Sequence, residues 1–139
     1  MWALPVMSQS VIEREGHLTS EAVLAVEDNA LLLNLVCCLL NDFGYTVFPA
    51  SSTEEALDYL HNQKYSFDLL FTDIRMPGEM DGVSLARKMR QLRPDVKVLL
   101  TTGFAPEFLP EAGHDDFPIL QKPYSPDDLA NTVREILGR

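Results

Sequence analysis

The chain has 139 residues, of which 46% are hydrophobic and 23% are charged, a balance that is typical of one folded domain and excludes a disordered chain. Lys and Arg total 11 against 21 Asp and Glu, so the net charge is −10. This charge excludes a nucleic-acid binder, which needs a basic face, and it opposes docking on anionic lipid. No apolar run approaches the roughly 20 residues that cross a bilayer, so we expect no membrane insertion.

The N-terminal residues differ in character from the rest of the sequence. Residues 1–20 show no sustained hydrophobic period, and we interpret them as a tail or linker before a single domain at residues 21–139. They contain no basic cluster ahead of an apolar run, so we predict no secretory signal. Cys37 and Cys38 are adjacent, and neighbouring residues on a helix point about 100° apart, so these two cysteines cannot easily form a disulfide bond. We therefore predict reduced core thiols in a cytoplasmic protein.

From residue 22 onwards, short apolar runs alternate with segments of helical periodicity. The first helical segment ends near Gly44, and its leucines at 31–40 are predicted to pack in the core. Ser52 and Glu55 form a capping pair that opens the next helix. Pro106 and Pro110 allow only a short or broken helix between the last two strands. The predicted strands are residues 22–26, 45–49, 67–72, 96–102 and 118–121, and the predicted helices begin near residues 30, 52, 83 and 126.

This alternation predicts an α/β fold, in which five parallel strands form one sheet with helices on both faces. Such sheets bind ligands outside the carboxyl ends of their strands, where the strand order reverses. The notable polar residues of this sequence fall at those ends. They are Glu27 and Asp28 after the first strand, Asp73 after the third, Thr102 at the end of the fourth and Lys122 after the fifth.

The chemistry of these residues indicates a metal site beside a nucleophile. Three carboxylates at one edge repel one another unless a cation lies among them, and oxygen ligands without His or a usable Cys favour Mg²⁺ over zinc. Asp73 stands between an apolar strand and the loop at residues 76–82, so its oxygen can attack a phosphoryl group. The Lys122 ammonium supplies a positive charge, and the Thr102 hydroxyl can donate a hydrogen bond to a phosphoryl oxygen.

Four motifs carry a resemblance to a known family: VEDN at residues 26–29, TDIRMPGEMDG at 72–82, LLTTG at 99–103 and QKPYSPDDL at 121–129. In order and spacing they resemble the response-regulator receiver domain of bacterial two-component signalling, over roughly residues 21–138. The resemblance implies a flavodoxin-like fold with the strand order 2-1-3-4-5. In finer detail the sequence is most similar to the C-terminal receivers of hybrid sensor histidine kinases.

The resemblance also implies the partners and the roles of the site residues. Asp73 would accept a phosphoryl group from a histidine kinase or a histidine phosphotransfer protein, with no enzymatic activity beyond self-phosphorylation and self-dephosphorylation. Thr102 and Lys122 would contact the phosphate, and the peptide bond between Lys122 and Pro123 would be cis. A homodimer is a further expectation. The implied Mg²⁺ ligands are Glu27, Asp28, Asp73 and the backbone carbonyl of Arg75.

The sequence departs from the family pattern at two places. Receivers usually carry Tyr or Phe three residues before the lysine, whereas this chain has Ile119. A regular helix is usual where this chain has the Pro-interrupted residues 104–117. We therefore expect phosphorylation to switch the surface around residues 104–124 by reordering this segment, and not by a ring flip.

Three other classes of function are alternatives to the receiver. A Mg²⁺-dependent phosphohydrolase with an aspartyl phosphate usually carries a second acid two residues after the nucleophile, where this chain has Arg75, and the chain has no cap domain. A degenerate receiver that acts as a binding scaffold is opposed by the intact set of acids, threonine and lysine. Flavin binding would need a Ser/Thr/Gly-rich phosphate loop after the first strand, and the sequence has none there.

Overall fold

A computed structural model describes residues 21–103 and 117–138 of the chain. The predicted tail at residues 1–20 and most of the predicted switch segment, residues 104–116, lie outside the described residues. The described elements, in chain order, are β1 (Ala22–Val26), α1 (Ala30–Asp42), β2 (Thr46–Ala50), α2 (Thr53–His61), β3 (Leu69–Asp73), α3 (Gly82–Leu92), β4 (Lys97–Thr102), β5 (Ile119–Gln121) and α4 (Pro126–Leu137).

The five strands form one sheet in the order β2-β1-β3-β4-β5, and every neighbouring pair is parallel. The predicted fold class and strand order are therefore confirmed. The strand register aligns the carboxyl ends, because Val26 lies opposite Thr72 and Asp73 lies opposite Thr101. The strand order reverses between β1 and β3, so the edge beyond these two strands is the expected position of a site.

Alternating strand residues fill two core layers, one on each face of the sheet. Leu24, Leu70 and Leu100 pack with α2 and α3 on one face. Their sequence neighbours, including Leu69 and Leu99, pack with α1 and α4 on the other face. Helices therefore cover both faces, as the uninterrupted apolar runs of the strands predict.

Each described helix starts with a side-chain cap close to the carboxyl end of the preceding strand. Asn29 accepts hydrogen bonds from the backbone N–H groups of the first turn of α1. Ser52 and Asp81 cap α2 and α3 in the same way, and Ser125 forms a reciprocal capping box with Asp128 at α4. These caps fix where the strands stop and the helices begin, and so they set the shape of the loops around the site.

The prediction that all the leucines of α1 pack in the core is wrong. Leu31 is 81% exposed and Leu35 is 53% exposed. Cys38 is also exposed, so the prediction of two core thiols is correct only in that both cysteines are free. The reason is that α1 carries apolar residues around its whole circumference, whereas only one stripe of a helix can face the sheet.

None of the helices within the described residues is long and apolar enough to cross a membrane.

Candidate functional site

The carboxylates of Glu27, Asp28 and Asp73 meet at the carboxyl edge of the sheet. Glu27 follows β1 directly, while Asp73 is the last residue of β3 and not the first residue of the loop. One carboxylate oxygen from each of the three residues lies within 4.8 Å of the other two. Glu27 and Asp73 are buried and Asp28 is exposed, so the cluster opens to solvent on one side. The sequence therefore predicted correctly that these three residues gather.

Lys122 lies between the two buried carboxylates. Its Nζ donates hydrogen bonds to Glu27 Oε1 at 3.2 Å and to Asp73 Oδ2 at 3.1 Å. The Lys122 backbone N–H donates to the Thr102 carbonyl at 2.7 Å, and the Lys122–Pro123 peptide bond is cis, as the resemblance implied. β4 and β5 together thus place the ammonium group beside Asp73.

Burial and neighbouring charges shift the pKa values of Glu27 and Lys122. The pKa of Glu27 is raised, mainly because burial disfavours the charged carboxylate; a hydrogen bond from the Asn29 backbone opposes this effect, and the nearby charge of Asp73 adds to it. Burial lowers the pKa of Lys122, but the hydrogen bonds and charges of Asp73 and Glu27 outweigh it and leave the pKa above its usual value. Lys122 therefore stays positively charged, and it stabilises two crowded acids.

Thr102 and Arg75, the other two predicted site residues, differ in their surroundings. Thr102 is fully buried at the end of β4, and its carbonyl is bound to the backbone of Lys122 as described above. Arg75 is exposed in the loop between β3 and α3. That its backbone carbonyl is a metal ligand stays a prediction.

Sequence reasoning missed three residues that hold the acids in place. The Asn29 backbone N–H donates to Glu27 Oε2 at 3.1 Å. The Thr72 hydroxyl donates to the backbone carbonyl of Asp73 at 3.0 Å. Gly82 begins α3 in direct contact with the Asp73 backbone, since a Cβ atom there would lie 2.8 Å from the Asp73 carbonyl carbon. The sequence contained two signals for these residues, namely the position of Asn29 directly after the acidic pair and the position of Gly82 directly after a capping aspartate.

The donor set of this cluster fits a magnesium ion. All three groups offer hard oxygen ligands, and no His or Cys within the described residues joins them. Mg²⁺ uses one or two carboxylates and fills its remaining positions with water and phosphate oxygens, which suits a cluster with one exposed member. The negative charge that a bound cation would neutralise is concentrated on two buried carboxylates that share a single ammonium group.

Comparisons with known proteins identify the family of the chain. Residues 23–134 match the family model of the response regulator receiver domain. The chain is 36% identical over 117 residues to the response regulator receiver protein CpdR of Brucella abortus, covering 83% of this chain and 95% of CpdR. It is also 36% identical over 131 residues to the sensor kinase CckA of the same organism, covering 92% of this chain but only 14% of CckA.

Solved structures give the same result. A response regulator receiver protein from Sinorhizobium medicae superposes with a TM-score of 0.78 at 29% identity, covering 86% of this chain and 95% of that one. The receiver domain of the hybrid histidine kinase CckA gives 0.70 at 32% identity, with coverages of 84% and 98%. TrrA from Thermotoga maritima, solved in complex with Mg²⁺ and BeF, gives 0.74 at 26% identity with the same coverages.

The chain therefore belongs to the response regulator receiver domain family, whose members are signalling modules of two-component systems. Its relatives include a protein of about the same length and a sensor kinase of which it matches a small part.

Proposed function

We propose that the chain is the phosphoacceptor of a two-component phosphorelay, in which Asp73 takes a phosphoryl group from the phosphohistidine of a histidine kinase or a histidine phosphotransfer protein. The observation that carries this proposal is the gathering of three carboxylates within 4.8 Å of one another, with the Lys122 ammonium 3.1 Å from Asp73. In the transfer, a carboxylate oxygen of Asp73 forms the new P–O bond as the P–N bond of the phosphohistidine breaks. The imidazole nitrogen keeps the electron pair of that bond and takes up a proton from water.

Glu27, Asp28, Asp73 and the backbone carbonyl of Arg75 are the groups that would hold Mg²⁺. When bound, the ion supplies neutralising charge on one side of the transferring phosphoryl group. The similar TrrA protein was solved as a complex with Mg²⁺ and BeF, and this supports the assignment by similarity.

Lys122 and Thr102 act on the phosphoryl group from the other side. In the unphosphorylated site Lys122 shares its ammonium between Glu27 and Asp73, and after transfer the same group can pair with a phosphoryl oxygen. The raised pKa of Lys122 keeps its charge available for this exchange. The Thr102 hydroxyl donates a hydrogen bond to a second phosphoryl oxygen. Phosphoryl transfer needs mainly positioning and charge neutralisation, and these residues provide both.

We also propose the domain boundaries of the receiver, its location, the surface that it switches and its partners. The receiver comprises residues 21–139 behind a tail or linker at residues 1–20, and it works in the cytoplasm without binding nucleic acid. Phosphorylation changes the surface around residues 104–124, where the half-buried Ile119 replaces the usual aromatic residue. The similarity to part of a sensor kinase supports a kinase or phosphotransfer partner. Self-association as a homodimer belongs to the same proposal.

The function is tested by incubating the chain with acetyl phosphate and Mg²⁺ and measuring the intact mass. We expect one acid-stable, base-labile phosphoryl group, which disappears in Asp73→Asn and when Mg²⁺ is chelated. The matched control is Asp95→Asn, because Asp95 is exposed next to the opposite end of β4 and its variant should be labelled like the wild type. Rapid multiple turnover of the phosphodonor would instead indicate a phosphohydrolase, and an unlabelled wild type would indicate a binding scaffold.

A further inference from the structure

The backbone carbonyl of Asp73 is enclosed by two residues that the proposed chemistry does not use. Thr72 is fully buried, and its hydroxyl donates a hydrogen bond to this carbonyl at 3.0 Å. Gly82, the first residue of α3, leaves no room on the other side. A Cβ atom at Gly82 would overlap the carbonyl oxygen and would lie 2.9 Å from Ile74 Cα.

The next peptide group is fixed as well. The Ile74 N–H donates to the Thr101 carbonyl at 2.9 Å, and the Ile74 carbonyl accepts from the Gly82 N–H at 2.8 Å. The start of α3 is thus bound directly to the backbone that follows Asp73. The Asp81 side chain, which accepts from the Ser84 N–H at 2.8 Å, caps this end of the helix.

We propose that Thr72 and Gly82 are positioning residues that orient the Asp73 carboxylate for phosphoryl transfer, by fixing the Asp73 carbonyl from two sides. The inference rests on the proposed function of Asp73. The carbonyl carbon and Cβ are bonded to the same Cα, so a displacement of this peptide group shifts the Cα and with it moves the carboxylate relative to Lys122 and to the other two acids. A displacement of about 1 Å at a reacting group can lower a rate about a hundredfold.

Neither residue needs to touch the phosphoryl group for this role. Because strand residues alternate between the two faces, the Thr72 side chain lies on the same face as Leu70, which packs with α2 and α3. Its hydroxyl is used on the Asp73 carbonyl. Only glycine fits between the first turn of α3 and the end of β3 without moving one of them.

Thr101 provides a matched control for Thr72. It lies opposite Asp73 on β4 and is also buried, at 3% exposure. Its hydroxyl oxygen has no hydrogen-bond partner within the described residues, whereas that of Thr72 is bound to Asp73. Replacing either threonine by valine changes the same atoms at equal burial, but only Thr72→Val removes a hydrogen bond to the acceptor residue.

The experiment measures the rate constant of phosphorylation by acetyl phosphate at saturating Mg²⁺, using intact mass, for variants whose folding is checked by circular dichroism. We expect Thr72→Val to be about tenfold slower than the wild type, a loss that corresponds to a displacement smaller than 1 Å. Thr72→Ser, which keeps the hydroxyl, should restore most of the rate, and Thr101→Val should match the wild type. Gly82→Ala should be about a hundredfold slower.

The threonine series decides the proposal even if Gly82→Ala does not fold. A saturating Mg²⁺ concentration separates a misplaced nucleophile from weak metal binding, and the return of the rate in Thr72→Ser separates positioning from a loss of packing. If the wild type is phosphorylated and Thr72→Val and Thr101→Val have equal rates, the positioning role alone is overturned. A wild type that takes up no phosphoryl group would overturn the proposed function, and the positioning role with it.

Discussion

Replacing Lys122 by methionine tests the electrostatic basis of the site. The substitution keeps most of the side-chain volume but leaves Glu27 and Asp73 buried without their shared ammonium group, which lies 3.2 and 3.1 Å away. In the absence of Mg²⁺ we expect Lys122→Met to lower the free energy of unfolding, because two crowded carboxylates then repel each other without the positive charge between them.

The size of this effect follows from the exposure of the three side chains. At an effective dielectric constant of about 20, opposite unit charges at this separation attract by about 5 kcal/mol, and desolvation of the lysine offsets part of this attraction. Removing one partner of a fully buried pair costs about 3–5 kcal/mol, and an exposed pair contributes about 0–1 kcal/mol. Because Lys122 is 24% exposed and the carboxylates are 9% and 11% exposed, we expect about 2 kcal/mol.

Urea unfolding of the Mg²⁺-free protein measures this loss. Lys97→Met is the matched control, since Lys97 is exposed at the opposite end of β4 and its loss removes the same charge. In an Asp73→Asn background the cost of Lys122→Met should fall below about 1 kcal/mol, because one of the two carboxylates is neutral. Equal effects of Lys122→Met and Lys97→Met, or an unchanged cost in the Asp73→Asn background, would show that the Lys122 charge does not stabilise these carboxylates.

Three further predictions concern metal binding, the end of α2 and the thiols. Mg²⁺ at a hundred times its dissociation constant should stabilise the fold by about 2.7 kcal/mol, which is measured as a raised melting temperature. Asp28→Asn at the same Mg²⁺ concentration should lose most of this stabilisation, and an equal rise in melting temperature for both proteins would exclude Asp28 as a ligand. Arg93 donates to three backbone carbonyls at and beyond the end of α2, so Arg93→Met should cost about 2 kcal/mol in urea unfolding, and an unchanged midpoint would contradict this. Burial, and then the neighbouring Cys38, raises the pKa of Cys37 to about 11, so at pH 8 only about one thousandth of Cys37 is thiolate. Iodoacetamide should then modify the exposed Cys38 first, and peptide mapping that found Cys37 modified at the same rate would show that this thiol is accessible.

The carboxylate cluster was predictable because each of its three acids stands at a position with a local signal. Glu27 and Asp28 end the apolar run of β1, and Asp73 ends that of β3. Parallel strands bring such ends to one edge, so the grouping follows from the alternation of strands and helices. The buried face of α1 could not be predicted with the same success, because Leu31 and Leu35 look no different in sequence from the buried leucines of the same helix.

Local patterns were enough to predict the succession of strands and helices along the chain, the fold class and the residues at the carboxyl edge, since these depend on hydrophobic periodicity, caps and turn residues that act over a few positions. In contrast, the packed fold was needed to show which oxygens share the ammonium of Lys122 and which residues enclose the Asp73 carbonyl. Lys122 and Glu27 are 95 positions apart in the chain. Their separation in space depends on how every intervening element packs, and no local pattern contains that information.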